Sequence, residues 1–314
     1  MKKLVILTGP TAVGKTSLSI NLAKAINGEI ISADCMQVYK YMDIGTAKIT
    51  KEEMDGVRHH LIDVIDPGED FHVVRFKEMV LDAIDDIYSR GKIPIICGGT
   101  GFYIQAVLYD IQFTKNTVDS DYRKSLEEYA NANGNDALHN KLSDIDPESA
   151  MAIPAANRKR VIRALEYYHE TGEKFSVHNK MESERKSPYN FAYFVLNDDR
   201  GLLYNRIDQR VDIMFENGLL DEVKNLLDMG YHRGQTSMDG IGYKELISYF
   251  EGQLNLDEAV RLIKKNSRNY AKRQLTWFRR EKQVIWLDKN NYSNEQILSI
   301  MVNTLKDKGI LDDL

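Results

Sequence analysis

At 314 residues the chain is long enough for a full α/β core plus a second lobe, and 43% hydrophobic with 28% charged residues is the composition of an ordinary soluble protein. A net charge of −5 excludes a chain that is basic throughout, and the two cysteines, Cys35 and Cys97, lack the C-x-x-C spacing of a zinc or redox pair. No apolar run reaches the roughly 18 residues of a membrane span, and Met1-Lys2-Lys3 leads directly into the first apolar run, so the expectation is a cytoplasmic protein with reduced thiols and no leader.

Leu4-Val5-Ile6-Leu7 reads as a buried strand that runs straight into Gly9-Pro10-Thr11-Ala12-Val13-Gly14-Lys15-Thr16, of the form G-x-x-x-x-G-K-T. Leu18, Leu22, Ala25 and Ile26 then recur at helical spacing until Asn27-Gly28. Strand, glycine loop and helix in this order make a P-loop. Its glycines let backbone N–H groups converge on phosphate oxygens at the positive end of the helix. Lys15 would bridge the phosphates as a point charge, and Thr16 would offer a hydroxyl to Mg²⁺. A nucleotide-hydrolysing protein of this class also needs a strand that ends in a Mg²⁺-holding Asp. The best such strand, Ile93-Pro94-Ile95-Ile96-Cys97, runs into Gly98-Gly99-Thr100-Gly101 with no acidic residue, which leaves room for a different diphosphate compound.

Glu29-Ile30-Ile31-Ser32-Ala33-Asp34 reads as a second strand delivering Asp34 at its carboxyl end, where ligands of open α/β sheets gather; the alternative for Asp34 is a cap or turn residue. Cys35-Met36-Gln37-Val38-Tyr39 follows as a polar and aromatic turn suited to gripping a substrate, and Asp43-Ile44-Gly45-Thr46-Ala47-Lys48 as a loop. Thr50-Lys51-Glu52-Glu53 carries a capping-box pattern that predicts a short helix, and residues 60–67 read as another strand. His59 and His60 are adjacent and cannot share a helical face for metal, so they are read as structural. Phe76, Met79, Val80, Ala83, Ile84 and Ile87 give an amphipathic helix closed by Gly91. The Gly98–Gly101 loop is expected to let a ligand approach its backbone, with Thr100 as a hydrogen-bonding group.

Residues 115–190 turn polar and are broken by Asn133-Gly134, Asp146-Pro147, Pro154 and Gly172, which predicts a helical insertion lobe set into a core of residues 1–114 and 191–314. Within it, Asn157 is placed to cap a helix on which Lys159, Arg160 and Arg163 share one face and Val161, Ala164, Leu165 and Tyr168 the other. Phe191-Ala192-Tyr193-Phe194-Val195-Leu196 returns to the sheet. Asp198 or Asp199 then caps a helix bearing Arg206 and Arg210, one turn apart, either of which could reach the diphosphate. Gly240-Ile241-Gly242-Tyr243 is a glycine-rich turn before the next helix. Residues 261–282 hold nine cations against Glu281 alone, interleaved with Tyr270, Trp277 and Phe278, while Asp307 to Leu314 is acidic. A basic aromatic stretch on an acidic body fits either a solvated helix face or a surface for a polyanion. Val284-Ile285-Trp286-Leu287 is the last strand.

Taken together these segments resemble one family, the tRNA dimethylallyltransferases. The resemblance rests on the P-loop, residues 32–39, Asp43 to Lys48, Gly98-Gly99-Thr100-Gly101-Phe102-Tyr103, residues 160–166, Gly240 to Tyr243, and Lys272-Arg273-Gln274-Leu275-Thr276-Trp277, all in the family's order. Cys35 stands where members usually carry serine. The resemblance implies a P-loop NTPase-like parallel sheet flanked by helices. It also implies transfer of a dimethylallyl group from dimethylallyl diphosphate to N6 of adenosine 37 in tRNAs reading codons that begin with U. The P-loop, Gly9 to Thr16, would then hold a leaving group, with Mg²⁺ on Thr16. Asp34, Thr11, Lys15 and Arg210 would be the catalytic residues, Asp34 as general base toward the amine. Asp34, Cys35, Met36, Gln37, Thr100, Arg123, Lys159, Arg160 and Arg163 would contact the tRNA anticodon loop, whose target base must leave its stack. No membrane and no obligate protein partner is implied. The competing readings are a nucleotide-kinase-like phosphotransferase, which shares the P-loop and a basic lid, and a non-catalytic RNA-binding P-loop module.

Overall fold

The computed structural model describes residues 1–113 and 120–311. They form two compact units, one of Met1–Leu108 with Pro188–Leu314 and one of Tyr109–Ser187. The expected boundary between residues 114 and 115, and the acidic end at Asp312 and Asp313, lie outside the described residues.

The first unit is built on a six-stranded, wholly parallel sheet: β1 (Lys2–Thr8), β2 (Gly28–Ala33), β3 (His59–His60), β4 (Ile93–Gly98), β5 (Tyr189–Asn197) and β6 (Val284–Asp288). Their order is β3-β2-β4-β1-β5-β6. Leu4, Val5, Ile6 and Leu7 are completely buried, as a parallel strand covered on both faces requires. In register Val5 lies beside Ile95 and Ala192, and Leu7 beside Cys97 and Phe194. Helix α1 (Lys15–Ala25) follows β1 and buries Leu18, Ile20, Leu22 and Ala23, whereas Ala25 faces solvent. Asn27 takes the left-handed turn after it, and Gly28 opens β2, where a methyl group would meet Ile95 Cδ1 at 2.8 Å.

Helix α2 (Val73–Ser89) buries the predicted Phe76, Val80, Ala83, Ile84 and Ile87. The strand expected over residues 60–67 shrinks to β3 plus a single bridge from Tyr39 to Ile65, because Leu61 and Asp63 take left-handed backbone. The capping box at Thr50 forms, with Glu53 N–H donating to Thr50 Oγ1 at 3.2 Å and Thr50 N–H to Glu53 Oε2 at 2.8 Å. No helix grows from it, since Asp55 and Gly56 turn left-handed. Helix α3 (Gly101–Leu108) closes this half.

The second unit is helical: α4 (Ser120–Ile145), α5 (Pro147–Ala152), α6 (Arg158–Thr171) and α7 (Phe175–Ser183). Gly134, at φ 86° and ψ 166°, breaks α4 where Asn133-Gly134 suggested. Leu126, Leu138, Leu142, Val161, Ile162 and Leu165 form its core. Asn157 stands before α6 but caps it with no side-chain bond, and Tyr167 rather than Tyr168 is buried.

With β5 the chain is back in the first unit, which it continues through α8 (Arg200–Glu216), α9 (Leu219–Asp228), α10 (Tyr243–Phe250), α11 (Leu256–Phe278) and, past β6, α12 (Asn294–Asp307). Among the described residues no helix is long and apolar enough to cross a membrane.

Candidate active site

A cavity of about 640 Å³ opens at the carboxyl ends of β1, β2 and β4, with Thr11, Lys15, Thr16, Asp34, Gln37 and Arg210 in its wall. This is the crevice where open parallel sheets place their ligands. The loop after β1 has the strained backbone its glycines are there to allow. Gly9 sits at φ 148°, where a Cβ would meet Leu196 O at 2.6 Å, and Gly14 at φ 93° just before α1. Ala12 is also left-handed, at φ 61°. Pro10 and Val13 complete the loop, Val13 buried beneath it.

Lys15 folds over this loop, its ammonium donating to Gly9 O at 3.0 Å and Pro10 O at 2.8 Å. Burial pulls its pKa down to about 8; the Arg210 charge acts in the same sense and Asp34 against it. Arg210 reaches in from α8, with Nη1 3.5 Å from Thr11 Oγ1, and its own pKa is lowered by burial. Arg206, one turn earlier, is bound to the buried carboxylate of Asp198, and Asp199 caps α8 through Gly201 N and Leu202 N. Of the two arginines the structure therefore turns Arg210 to the cavity. Lys289, just after β6, donates to Val13 O at 3.3 Å from outside the cavity lining.

Asp34 leaves the end of β2 and, as a turn residue, accepts the Met36 N–H at 2.9 Å through Oδ1 while still lining the cavity. The turn role and the position at the ligand end of the strand are thus compatible. Cys35 is half-buried beside Asp34; desolvation, and then the Asp34 charge, push its thiol up to about 12, so it is a neutral packing group at physiological pH. Thr100 Oγ1 is buried, without a hydrogen-bond partner at normal geometry among the described residues. Gln37 Nε2 donates to Thr46 O at 3.3 Å and Ala47 O at 3.2 Å, which ties it to the Asp43 to Lys48 loop.

That loop is held from several sides. The buried ammonium of Lys48 bonds Tyr39 O, Asp43 and Asp63 at 2.6–2.7 Å. Tyr243 presses its ring on Gly45, where a Cβ would lie 2.6 Å from Tyr243 Cζ, and Met36 packs on Gly240. Gly240 and Tyr243 of that turn thus brace the Asp34–Lys48 segment from behind.

In the Gly98–Gly101 stretch, Gly98 and Gly99 line the cavity as expected, and the space a side chain would take is filled by protein: at Gly98 by the Ala33 backbone, at Gly99 by Gln274 Nε2, and at Gly101, outside the lining, by the Trp277 ring. Gln274, buried on α11, accepts the Thr11 N–H at 2.9 Å and donates to Gly99 O at 3.1 Å, joining the P-loop to β4. Sequence reasoning passed it over because it was reading α11 for charge, although Gln274 lies inside a motif quoted for the resemblance.

The basic stretch of α11 is only partly free. Arg268 is bound by both carboxylate oxygens of Asp208, and Lys264 bonds Asp212 at 2.6 Å, so α8 neutralises that flank. Arg261, Lys265, Lys272, Arg273, Arg279, Arg280 and Lys282 are exposed. In the second unit Lys159 and Arg160 are exposed on α6 and Arg163 is half-buried. Arg123 makes a two-pronged bond to the buried carboxylate of Glu166 at 2.7 Å on each arm.

Residues 37–281 match the family described as IPP transferase. A protein of Lachnoclostridium phytofermentans named tRNA dimethylallyltransferase is 58% identical over 312 residues, 99% of this chain and 100% of its own length. The crystal structure of a tRNA isopentenylpyrophosphate transferase from Bacillus halodurans is similar at a TM-score of 0.75 and 47% identity, with 98% of each chain covered. A eukaryotic dimethylallyltransferase described as acting on tRNA is similar at a TM-score of 0.82 and 29% identity, covering 98% of this chain and 80% of its own.

Proposed function

The chain belongs to the IPP transferase family, and we propose that it transfers a dimethylallyl group from dimethylallyl diphosphate to N6 of adenosine 37 in tRNAs reading codons that begin with U. The observation that carries the residue roles is the meeting of two cations, Lys15 and Arg210, with the Asp34 carboxylate in one cavity wall. The cations suit a leaving diphosphate, and the carboxylate an amine that must lose a proton.

In this reading the C–O bond between the allylic carbon and the diphosphate breaks, N6 bonds to that carbon, and Asp34 accepts the N6 proton. Lys15, Arg210 and the P-loop amides hold the departing diphosphate, with Thr11 beside Arg210 orienting it. Thr16 presents its hydroxyl at the first turn of α1. That hydroxyl would hold Mg²⁺, which would stabilise charge developing on the leaving group. Asp34 and Gln37, which line the cavity, meet the flipped adenine, with Cys35, Met36 and Thr100 packed behind them, and Arg123, Lys159, Arg160 and Arg163 take the RNA backbone.

The test is incubation with dimethylallyl diphosphate, Mg²⁺ and unmodified tRNA, followed by mass analysis of the nucleosides. One dimethylallyl group on adenosine 37 is the expected product. No product, with ATP consumed by a small acceptor, points instead to phosphotransfer.

A further inference from the structure

Glu222, on α9, does not line the cavity, yet its carboxylate anchors one wall. Oε2 accepts the N–H groups of Asp43 at 2.8 Å and Ile44 at 2.7 Å, while Oε1 accepts Gly45 N–H at 3.0 Å and Tyr243 O–H at 2.7 Å. Three successive backbone amides converging on one anion form a nest, with bonds of the charge-assisted kind. Asp43, Ile44, Thr46, Ala47 and Lys48, all on this loop, line the cavity.

The loop in turn sets a side chain. The Thr46 and Ala47 carbonyls take the Gln37 NH₂ group, which fixes that amide's orientation from chemistry alone, since two carbonyls cannot face its oxygen. Gln37 Oε1 is thereby turned toward the Ser32 hydroxyl, at 3.4 Å, and is the one group of that amide left to meet a ligand. An acceptor held there suits an exocyclic amine, which is a donor.

We propose that Glu222 is a positioning residue for the nucleobase acceptor. Through residues 43–47 it holds Gln37 with its oxygen toward the target amine; this rests on the tRNA-prenylating reading above. Among the described residues the Glu222 carboxylate bonds neither the P-loop nor Arg210, which form the diphosphate end of the cavity.

The experiment compares wild type, Glu222→Gln and Tyr243→Phe for equilibrium binding of dimethylallyl diphosphate and for steady-state transfer to tRNA. Losing charge-assisted bonds from the anchor lowers kcat/KM for tRNA about tenfold or more in Glu222→Gln, while the Kd for dimethylallyl diphosphate stays within about twofold. Tyr243→Phe removes one of the four bonds and gives a smaller loss in the same parameter; it decides the matter alone if Glu222→Gln fails to fold. Equal losses in tRNA transfer and diphosphate affinity reduce Glu222 to a general structural role and overturn the proposal. So does wild-type tRNA efficiency in the variants. A wild-type protein that makes no dimethylallyl product overturns the functional reading itself, before any variant is compared.

Discussion

Lys15 carries a proton-linked prediction for diphosphate binding. Its pKa is lowered from 10.5 to about 8 by burial, with the Arg210 charge adding to the effect, so at pH 8 about half of the free protein has a neutral amine. A bound diphosphate sets anionic oxygens against the amine and returns its pKa above about 10. Binding must then take up roughly 0.1 proton at pH 7, 0.5 at pH 8 and 0.9 at pH 9, and affinity falls by up to about tenfold per unit above pH 8. The ligand's own last ionisation, near about pH 6 as for phosphate monoesters, contributes little there. Calorimetric titration of dimethylallyl diphosphate at pH 8, without tRNA, in two buffers of different ionisation enthalpy reads the uptake directly. Lys15→Met should abolish it. Equal uptake in wild type and Lys15→Met would refute the reasoning. The same shift acts on folding with the opposite sign to the usual lysine. A folded pKa below the unfolded one means the unfolded chain binds more protons between pH 8 and 10.5, so this group's penalty, about 3 kcal/mol at pH 7, is relieved as pH rises through that window.

Asp34→Ala should lower turnover by about 10² or more with tRNA binding largely kept, measured by single-turnover transfer and by filter binding; near-wild-type turnover removes Asp34 from the chemistry. Glu29 is a fold prediction. Burial alone would raise its pKa, but hydrogen bonds from Arg90, His60 and Lys92 outweigh burial and hold it at about 2. Its folded pKa is depressed, so its contribution, on the order of 3 kcal/mol, is complete above pH 4.5 and lost as pH falls from 4.5 toward 2. Glu29→Gln should flatten that stretch of the denaturation profile, and an unchanged acid limb argues against it. Reversing Lys265 and Lys272, exposed on α11, should weaken tRNA binding and reduce its salt slope by about two, whereas reversing Arg268 should chiefly destabilise the helix by breaking its bond to Asp208.

What the sequence made legible was whatever is written locally. The P-loop announces itself because strand, glycines, Lys15 and α1 are contiguous, and Asp34 because a strand delivers it. The pair Arg206 and Arg210 was visible as a helical repeat, but which one faces the cavity depends on Asp198 capturing the other. Glu222 gave no signal, since an acid on a polar helix looks like any other until the Asp43 to Gly45 amides, nearly 180 residues away in sequence, are folded against it. The glycines were legible in part: Gly99 lines the cavity as expected, but that α11 fills the side-chain space at Gly99 and Gly101 is written far away in sequence. Charge counting failed on Arg268 and Lys264 because the acids that answer them sit on another helix.

The Trp277 ring fills the space where a side chain at Gly101 would begin, with Cδ1 2.2 Å from that Cβ position. Neighbouring sequences can therefore be reached from this one only in a fixed order. Trp277 must shrink or shift before Gly101 can become alanine, because the alanine arriving first overlaps the indole. Drift at these two positions is a ratchet, and the glycine is kept by its partner's bulk even in a lineage where nothing is bound beside it.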